Sequence, residues 1–247
     1  MTRERGVTLL EVLVAVTLLS VLSLGILMAM RGGLDSLDRT NRRLNDNRRV
    51  TGARRALDQQ LRGFMPVIGA CMASPDAPPM QFPFFQGDPQ TMRFVSSYSL
   101  QESSRGYPRI LEFQVIPGAD SRGVRLVVNE HLYTGPLSAG RFCLGQVPDP
   151  ETGAVLPTFA PVEIGPGSFV LADRLAYCWF SYEELAPQPP PQLPAAMWRN
   201  RWISDRWPRA IRVEMAPLDD PGGKLAPFTL TAPLPVNRIP IFRYADL

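Results

Sequence analysis

The chain has 247 residues, with 26 Lys and Arg against 23 Asp and Glu, one His and three Cys. Its net charge of +3 is mild and gives no reason to expect a nucleic-acid partner, while three Cys are too few for a disulfide scaffold. One folded domain beyond any anchor fits this length, with enough chain to bury a core.

Arg3, Glu4 and Arg5 make a short charged leader that ends at Gly6, and from Val7 to Met30 the one full charge is Glu11. At 1.5 Å per residue such a run crosses a hydrocarbon core of roughly 30 Å as a helix. Its Leu, Val, Ala and Met content suits lipid, and no Pro interrupts it. A carboxylate near the end of a membrane helix costs about 2–3 kcal/mol unless a partner meets it, so Glu11 reads as a residue with a task. The run exceeds the roughly 7–15 apolar residues of a removable secretory signal, and no small-residue cleavage site follows it. An ordinary signal anchor is the plainer reading of the same stretch.

A basic leader ending in Gly6, an apolar Val7, then Thr8-Leu9-Leu10 and an acid at Glu11 together resemble the class III signal of type IV prepilins and type II secretion pseudopilins. The resemblance implies that a prepilin peptidase cuts between Gly6 and Val7 and methylates the new N-terminus at Val7. It also implies that Glu11 meets the N-terminal amine of a neighbouring subunit during assembly. Val7 departs from the Phe or Met usual there. The organisation expected is a cytoplasmic leader at 1–6, a transmembrane helix at 7–30, an amphipathic stem helix at 31–66 and a periplasmic β-rich globular domain at 67–247. That makes a single-pass inner-membrane protein. The positive-inside rule pulls the other way, since Arg31, Arg39, Arg42, Arg43, Arg48 and Arg49 follow the anchor.

Arg31-Gly32-Gly33 reads as a soft joint. Beyond it Leu34, Leu37, Leu44, Val50, Leu57, Leu61 and Phe64 recur close to helical spacing, which predicts a helix to Met65 with Pro66 stopping it. The other faces carry nine Arg, from Arg31 to Arg62, against four Asp. Such a face suits lipid phosphates or nucleic acid, but a solvated helix face is the simpler reading.

Ser74 to Pro89 is rich in Pro and turn residues and reads as an ordered loop. Short strand-like runs follow: Thr91 to Ser99; Ile110 to Ile116, with Leu111, Phe113 and Val115 opposite Glu112 and Gln114; and, across a Gly-bracketed turn, Val124 to Tyr133. Gly135 to Gly167 looks irregular, with weak strands near Phe142 and Val162. Then come Phe169 to Leu171, Leu175 to Tyr182 with Leu175, Tyr177 and Trp179 on one face, Ala210 to Met215, and Phe228 to Leu234. One long helix before many short strands predicts an α+β, pilin-like fold, the helix laid on antiparallel sheets. One pair among Cys71, Cys143 and Cys178 can bridge in a periplasmic domain, but spacing does not choose the pair. Cys178, inside a predicted strand, reads as a small apolar residue.

A second set of residues is Leu175-Ala176-Tyr177-Cys178-Trp179-Phe180-Ser181-Tyr182, then Trp198, Trp202 and Trp207-Pro208-Arg209-Ala210-Ile211-Arg212-Val213. With Arg54-Arg55-Ala56-Leu57 and Leu61-Arg62 in the stem, they are similar to the J-type minor pseudopilins of type II secretion. The Pro run from Pro187 to Pro194 is a departure. This likeness implies a subunit at the tip of a periplasmic pseudopilus that drives export of folded proteins across the outer membrane. Its partners would be I-type and K-type minor subunits, the major G-type subunit and secreted proteins, with no nucleic acid. A minor pilin of a type IV pilus or DNA-uptake system shares the same N-terminus, and a membrane-anchored hydrolase or binding protein is the reading from another class.

Signs of catalysis are sparse. His131 sits in a strand-like run without a nucleophile motif, and no metalloprotease, Cys-x-x-Cys, Walker or nucleophile-elbow pattern is present. Asp219-Asp220-Pro221-Gly222-Gly223 reads as a turn, far short of the six to eight oxygens calcium takes. Trp198, Trp202 and Trp207 suit core and loop packing better than a carbohydrate or partner surface. The sequence therefore predicts a structural subunit without enzyme activity, cofactor or metal.

Overall fold

The structure is a computed structural model that describes residues 9–72, 79–119, 121–150, 153, 155–186, 195–218 and 227–234, with the backbone alone at 35, 37–50 and 186. Gly6, Val7, the Pro187–Pro194 run and the Asp219–Gly223 turn lie outside the described residues. Two compact units divide the chain, residues 1–48 and 49–247.

Helix α1 (Leu9–Arg62) leads into β1 (Phe64–Met65), β2 (Ile68–Cys71), β3 (Met80–Pro83), β4 (Gln86–Gly87), β5 (Thr91–Ser99), β6 (Ser104–Pro117) and β7 (Val124–Leu132). Then follow α2 (Pro136–Gly140), β8 (Cys143–Pro148), β9 (Val155–Phe159), β10 (Phe169–Ala186), β11 (Ala195–Arg199), β12 (Ala210–Pro217) and β13 (Phe228–Pro233). Among the described residues the main sheet has nine strands in the order β1-β5-β6-β7-β10-β12-β13, with β4 added to β5 and β11 to β10. Every pairing is antiparallel. Two hairpins, β2–β3 and β8–β9, stand outside it. A long N-terminal helix whose end packs on antiparallel sheet makes the fold α+β and pilin-like.

Helix α1 runs through Gly32-Gly33, the expected soft joint, as regular helix. Each Gly costs about 1 kcal/mol relative to Ala, less than it takes to open a ladder that continues on both sides. The helix ends at Arg62, short of Met65, because β5 captures the chain. Gly63 N donates to Gln59 O at 3.0 Å, Ser97 N to Gly63 O at 2.7 Å and Ser96 Oγ to Gln60 O at 3.0 Å. These bonds satisfy the orphan carbonyls of the last turn. A Cβ at Gly63 would lie 2.5 Å from Ser96 Oγ, so the close approach needs Gly.

Within the 49–247 unit, Leu57 and Leu61 of α1 are fully buried in a core with Phe94, Phe113, Phe180 and Val213 from one sheet face. Alternation sends Val95 and Ile110 to the opposite face, where they join Val67, Phe82, Phe84 and Ala139. A cover built from β2–β3, α2 and β8–β9 hides that second face, and a Cys71–Cys143 disulfide joins β2 to β8 across 72 residues. Cys178 is the buried free thiol. The cover is more regular than its sequence suggested: β8 matches the strand expected near Phe142, the second strand, β9, lies at Val155–Phe159 and not at Val162, and a short helix, α2, precedes them.

Helix α2 sits hard against β2. A Cβ at Gly140 would fall 1.7 Å from the Ala70 carbonyl oxygen. Gly140→Ala should therefore force the cover outward and cost about 2–3 kcal/mol, read as a lowered urea midpoint; an unchanged midpoint would show that α2 is free to shift.

Strand β10 corrects the expected aromatic face. Its register slips between Leu175 and Tyr177, which puts Leu175, Cys178, Phe180 and Tyr182 inward and leaves Tyr177 and Trp179 exposed. Strand β12 follows the expected pattern, with Ile211, Val213 and Met215 buried. Trp207 is buried, and Trp202 packs edge-on against Phe85 and Tyr182. Trp198 lies under the Arg212 guanidinium at 3.7 Å. Packing, the simpler reading, describes these three side chains.

Candidate assembly helix and the buried charge network

From Leu9 to Leu34, α1 is long and apolar enough to cross a membrane, and none of it is buried in the fold. At 1.5 Å per residue its 26 residues extend about 39 Å, more than a hydrocarbon core of roughly 30 Å. Leu and Val side chains are exposed all around it, from Leu9, Leu10, Val12 and Leu13 to Leu24, Ile26 and Leu27. Its hydroxyls turn inward on the helix: Thr17 Oγ1 donates to Val14 O and Ser20 Oγ to Val16 O, both at 2.8 Å. No hydroxyl hydrogen of these two needs lipid or water. Glu11 lies in the first turn, where the positive end of the helix dipole favours a carboxylate. Gly6 and Val7, expected to flank a cleavage site, lie outside the described residues.

The stem stripe is described in part. Leu57 and Leu61 are buried in the core, Phe64 is buried from strand β1 instead of helix, and Leu34 is exposed. Leu37, Leu44 and Val50 have side chains outside the described set. Arg54, Arg55 and Arg62 are exposed, with Arg62 Nε donating to Asp58 Oδ2 at 2.8 Å.

A second constellation, which sequence reading missed, lies beneath the cover. Strand pairing sets Arg93 beside Glu112 and Glu112 beside Asn129. The Arg93 side chain is wholly buried, and its Nε donates to Glu112 Oε1 at 2.8 Å. Its Nη1 donates to Gln86 Oε1 at 2.6 Å and its Nη2 to Ala160 O at 3.0 Å. Its guanidinium carbon lies 4.9 Å from the Phe142 ring centroid and 5.3 Å from that of Phe159. Asn129 Nδ2 donates to Glu112 Oε2 at 3.3 Å and to Glu163 O at 2.8 Å, while Ser168 Oγ donates to Asn129 Oδ1 at 2.6 Å. His131 Nε2 stands 2.7 Å from Glu112 Oε2. An ionised carboxylate only accepts, so that nitrogen carries the proton.

Burial pushes the Glu112 carboxyl upward, but the hydrogen bond from His131, with the charge and hydrogen bonds of Arg93 and Asn129, outweighs it and holds the group below its ordinary range. The network thus fixes a buried ion pair and pins segment 160–168 to the sheet. It does not align a nucleophile: Ser168 Oγ is engaged by Asn129, and the buried Cys178 thiol is pushed up to about 12 by desolvation. Among the described residues no group of three or more His, Cys, Asp or Glu is placed to hold a metal. The sequence clue is the alternation Arg93, Val95 and Ile110, Glu112, in which charge and apolar residues share the face opposite the core; it signals a covered second face only once a cover is known.

Residues 1–27 match the prokaryotic N-terminal methylation motif. No curated protein matches the chain. The motif and the apolar helix behind it mark the chain as type IV prepilin-like, with one helix among the described residues suited to anchor it in a membrane. A motif of this kind implies processing by a prepilin peptidase and assembly with other pilin-like subunits.

Proposed function

We propose that this protein is a J-type minor pseudopilin of a type II secretion system. In this reading the peptidase cuts after Gly6, Val7 becomes the methylated N-terminus, and residues 7–30 anchor the chain in the inner membrane. Residues 31–66 form the stem and 67–247 the periplasmic domain. The observation that carries the reading is the methylation motif running into a wholly exposed apolar helix with Glu11 in its first turn. A carboxylate at that depth gains most by meeting the new N-terminal amine of a neighbour. The Cys71–Cys143 bridge supports a domain that matures in an oxidising compartment. The J assignment rests on the aromatic strand and Trp-bearing loop around Tyr177–Tyr182 and Trp198–Val213. I-type, K-type and G-type subunits are then its partners, and its work is mechanical, without enzyme chemistry.

The test is a deletion strain scored side by side for extracellular protein and surface pili. Lost export with normal piliation supports the reading. Lost pili or DNA uptake with intact export moves the protein to a minor pilin of a type IV pilus. Glu11→Ala should cut incorporation into the filament about tenfold or more, the effect of losing roughly 1.4 kcal/mol of pairing, while the domain's unfolding midpoint stays put. Normal incorporation by that variant would remove Glu11 from assembly.

A further inference from the structure

We propose that the cleft between β3–β4, the β8–β9 hairpin and residues 201–205 binds a guanidinium group, and that its occupant is an arginine side chain of a neighbouring pilin-like subunit. The second half of this proposal rests on the assembly reading above. The cleft has a volume of about 480 Å³ and is walled by Phe85, Val147, Pro157 and Trp202, with Asp88 and Asp149 facing into it. That size lies within the range of small-ligand sites, roughly 300–1,000 Å³.

The chain itself shows which chemistry fits. Arg201 reaches between the two carboxylates, with Nε 3.7 Å from Asp88 Oδ1 and Nη1 3.6 Å from Asp149 Oδ2. Both separations allow charge attraction and exceed hydrogen-bonding range. The two acids are thus spaced to straddle one planar cation, and Arg201, more than half exposed, holds the place loosely. The Asp149 side chain is almost wholly buried, so charge in the cleft is little screened. Asp88 is aimed from behind: Gln86 Nε2 donates to Asp88 Oδ2 at 2.9 Å while Arg93 Nη1 donates to Gln86 Oε1 at 2.6 Å. A buried ion pair therefore orients a carboxylate that lines the cleft. A flat guanidinium matches two separated carboxylates and an indole wall better than a compact ammonium does.

Charge complementarity names the occupant. A pilin-like stem such as this one carries nine Arg against four Asp between Arg31 and Arg62, and Arg54 and Arg55 are exposed. Subunits that pack stem against domain would bring such arginines to an acidic cleft. Arg201 gives way to the incoming side chain, so the free cleft is closed by its own chain until a neighbour arrives.

The test titrates N-acetyl-arginine amide into the full-length, detergent-solubilised chain while following the Trp202 indole N–H by NMR. Arg201→Ala should tighten binding about tenfold, because the competing occupant is gone. Asp88→Asn on that background should abolish it, and N-acetyl-lysine amide should bind more weakly. No saturable shift in the Arg201→Ala chain overturns the site. A photo-crosslinker at Asp205, on the rim, then tests the occupant in assembled envelopes. A product identified as a chain with a methylated N-terminus supports a neighbouring subunit; a cross-link to an exported protein, or none, overturns that assignment. Arginine binding that persists in a chain absent from every filament would sink the assembly reading and leave the guanidinium site standing.

Discussion

Cys143→Ser should lower the unfolding free energy of the domain by about 4 kcal/mol, the chain-entropy value for a loop closed across 72 residues. Position 143 is the better half to change, because Cys71 is fully buried and a hydroxyl there would add a desolvation cost. Denaturant titration followed by Trp fluorescence reads the effect. Reducing the wild-type chain with dithiothreitol should bring its midpoint down to that of the variant, whose own midpoint should not respond to reductant. Equal midpoints for the oxidised and reduced wild type would show that the bridge constrains nothing the fold does not already hold.

That loop contains the strands β3 to β7, so the bridge fastens the cover to a face that hydrophobic burial alone serves poorly. Val95 and Ile110 supply apolar contact there, but Arg93, Glu112 and Asn129 share the same face. A buried ion pair adds little net stability against an apolar alternative, although breaking it is costly. The disulfide and the aromatic rings of Phe142 and Phe159 over Arg93 hold the cover where it keeps the pair dry.

Much of this was legible in the sequence because the signals were local. The apolar run behind Gly6, the period-2 alternation of Ile211, Val213 and Met215, and the long strand-turn-strand around Gly118 and Gly123 each depend on neighbours in the chain. The misreadings have non-local causes. Met65 looked helical until β5 paired with Phe64 and Met65. Tyr177 and Trp179 kept their alternation, but a slip in register beside Leu175 changed which set faces in. Glu112 and Gln114 were rightly placed opposite Leu111 and Phe113, yet that side proved to be covered by residues from Val67 to Phe159, which no window on β6 could report. The disulfide pair was undecidable for the same reason. Its partners meet because a cover folds back, and nothing in the spacing of Cys71, Cys143 and Cys178 encodes that return.

Glu112→Gln should cost about 3–5 kcal/mol at neutral pH, since it leaves the wholly buried Arg93 guanidinium without its counter-charge. The substitution keeps the shape of the side chain, so the loss reports charge and not a cavity. Its pH dependence separates this from simple packing damage. The Glu112 carboxyl is held below its ordinary value near 4.5 in the folded chain. A depressed folded value means that the unfolded chain takes up the proton first as pH falls. The contribution of Glu112 is therefore complete above about pH 4.5 and is lost as pH drops through the folded value. The stability gap between wild type and Glu112→Gln should be widest at neutral pH and should narrow below that value, because a protonated carboxyl and an amide present Arg93 with the same neutral partner. Denaturant midpoints for both chains, measured from neutral pH down into the acid range, decide it. A gap that stays constant would mean the pair is held by shape, with its charge screened in spite of its burial.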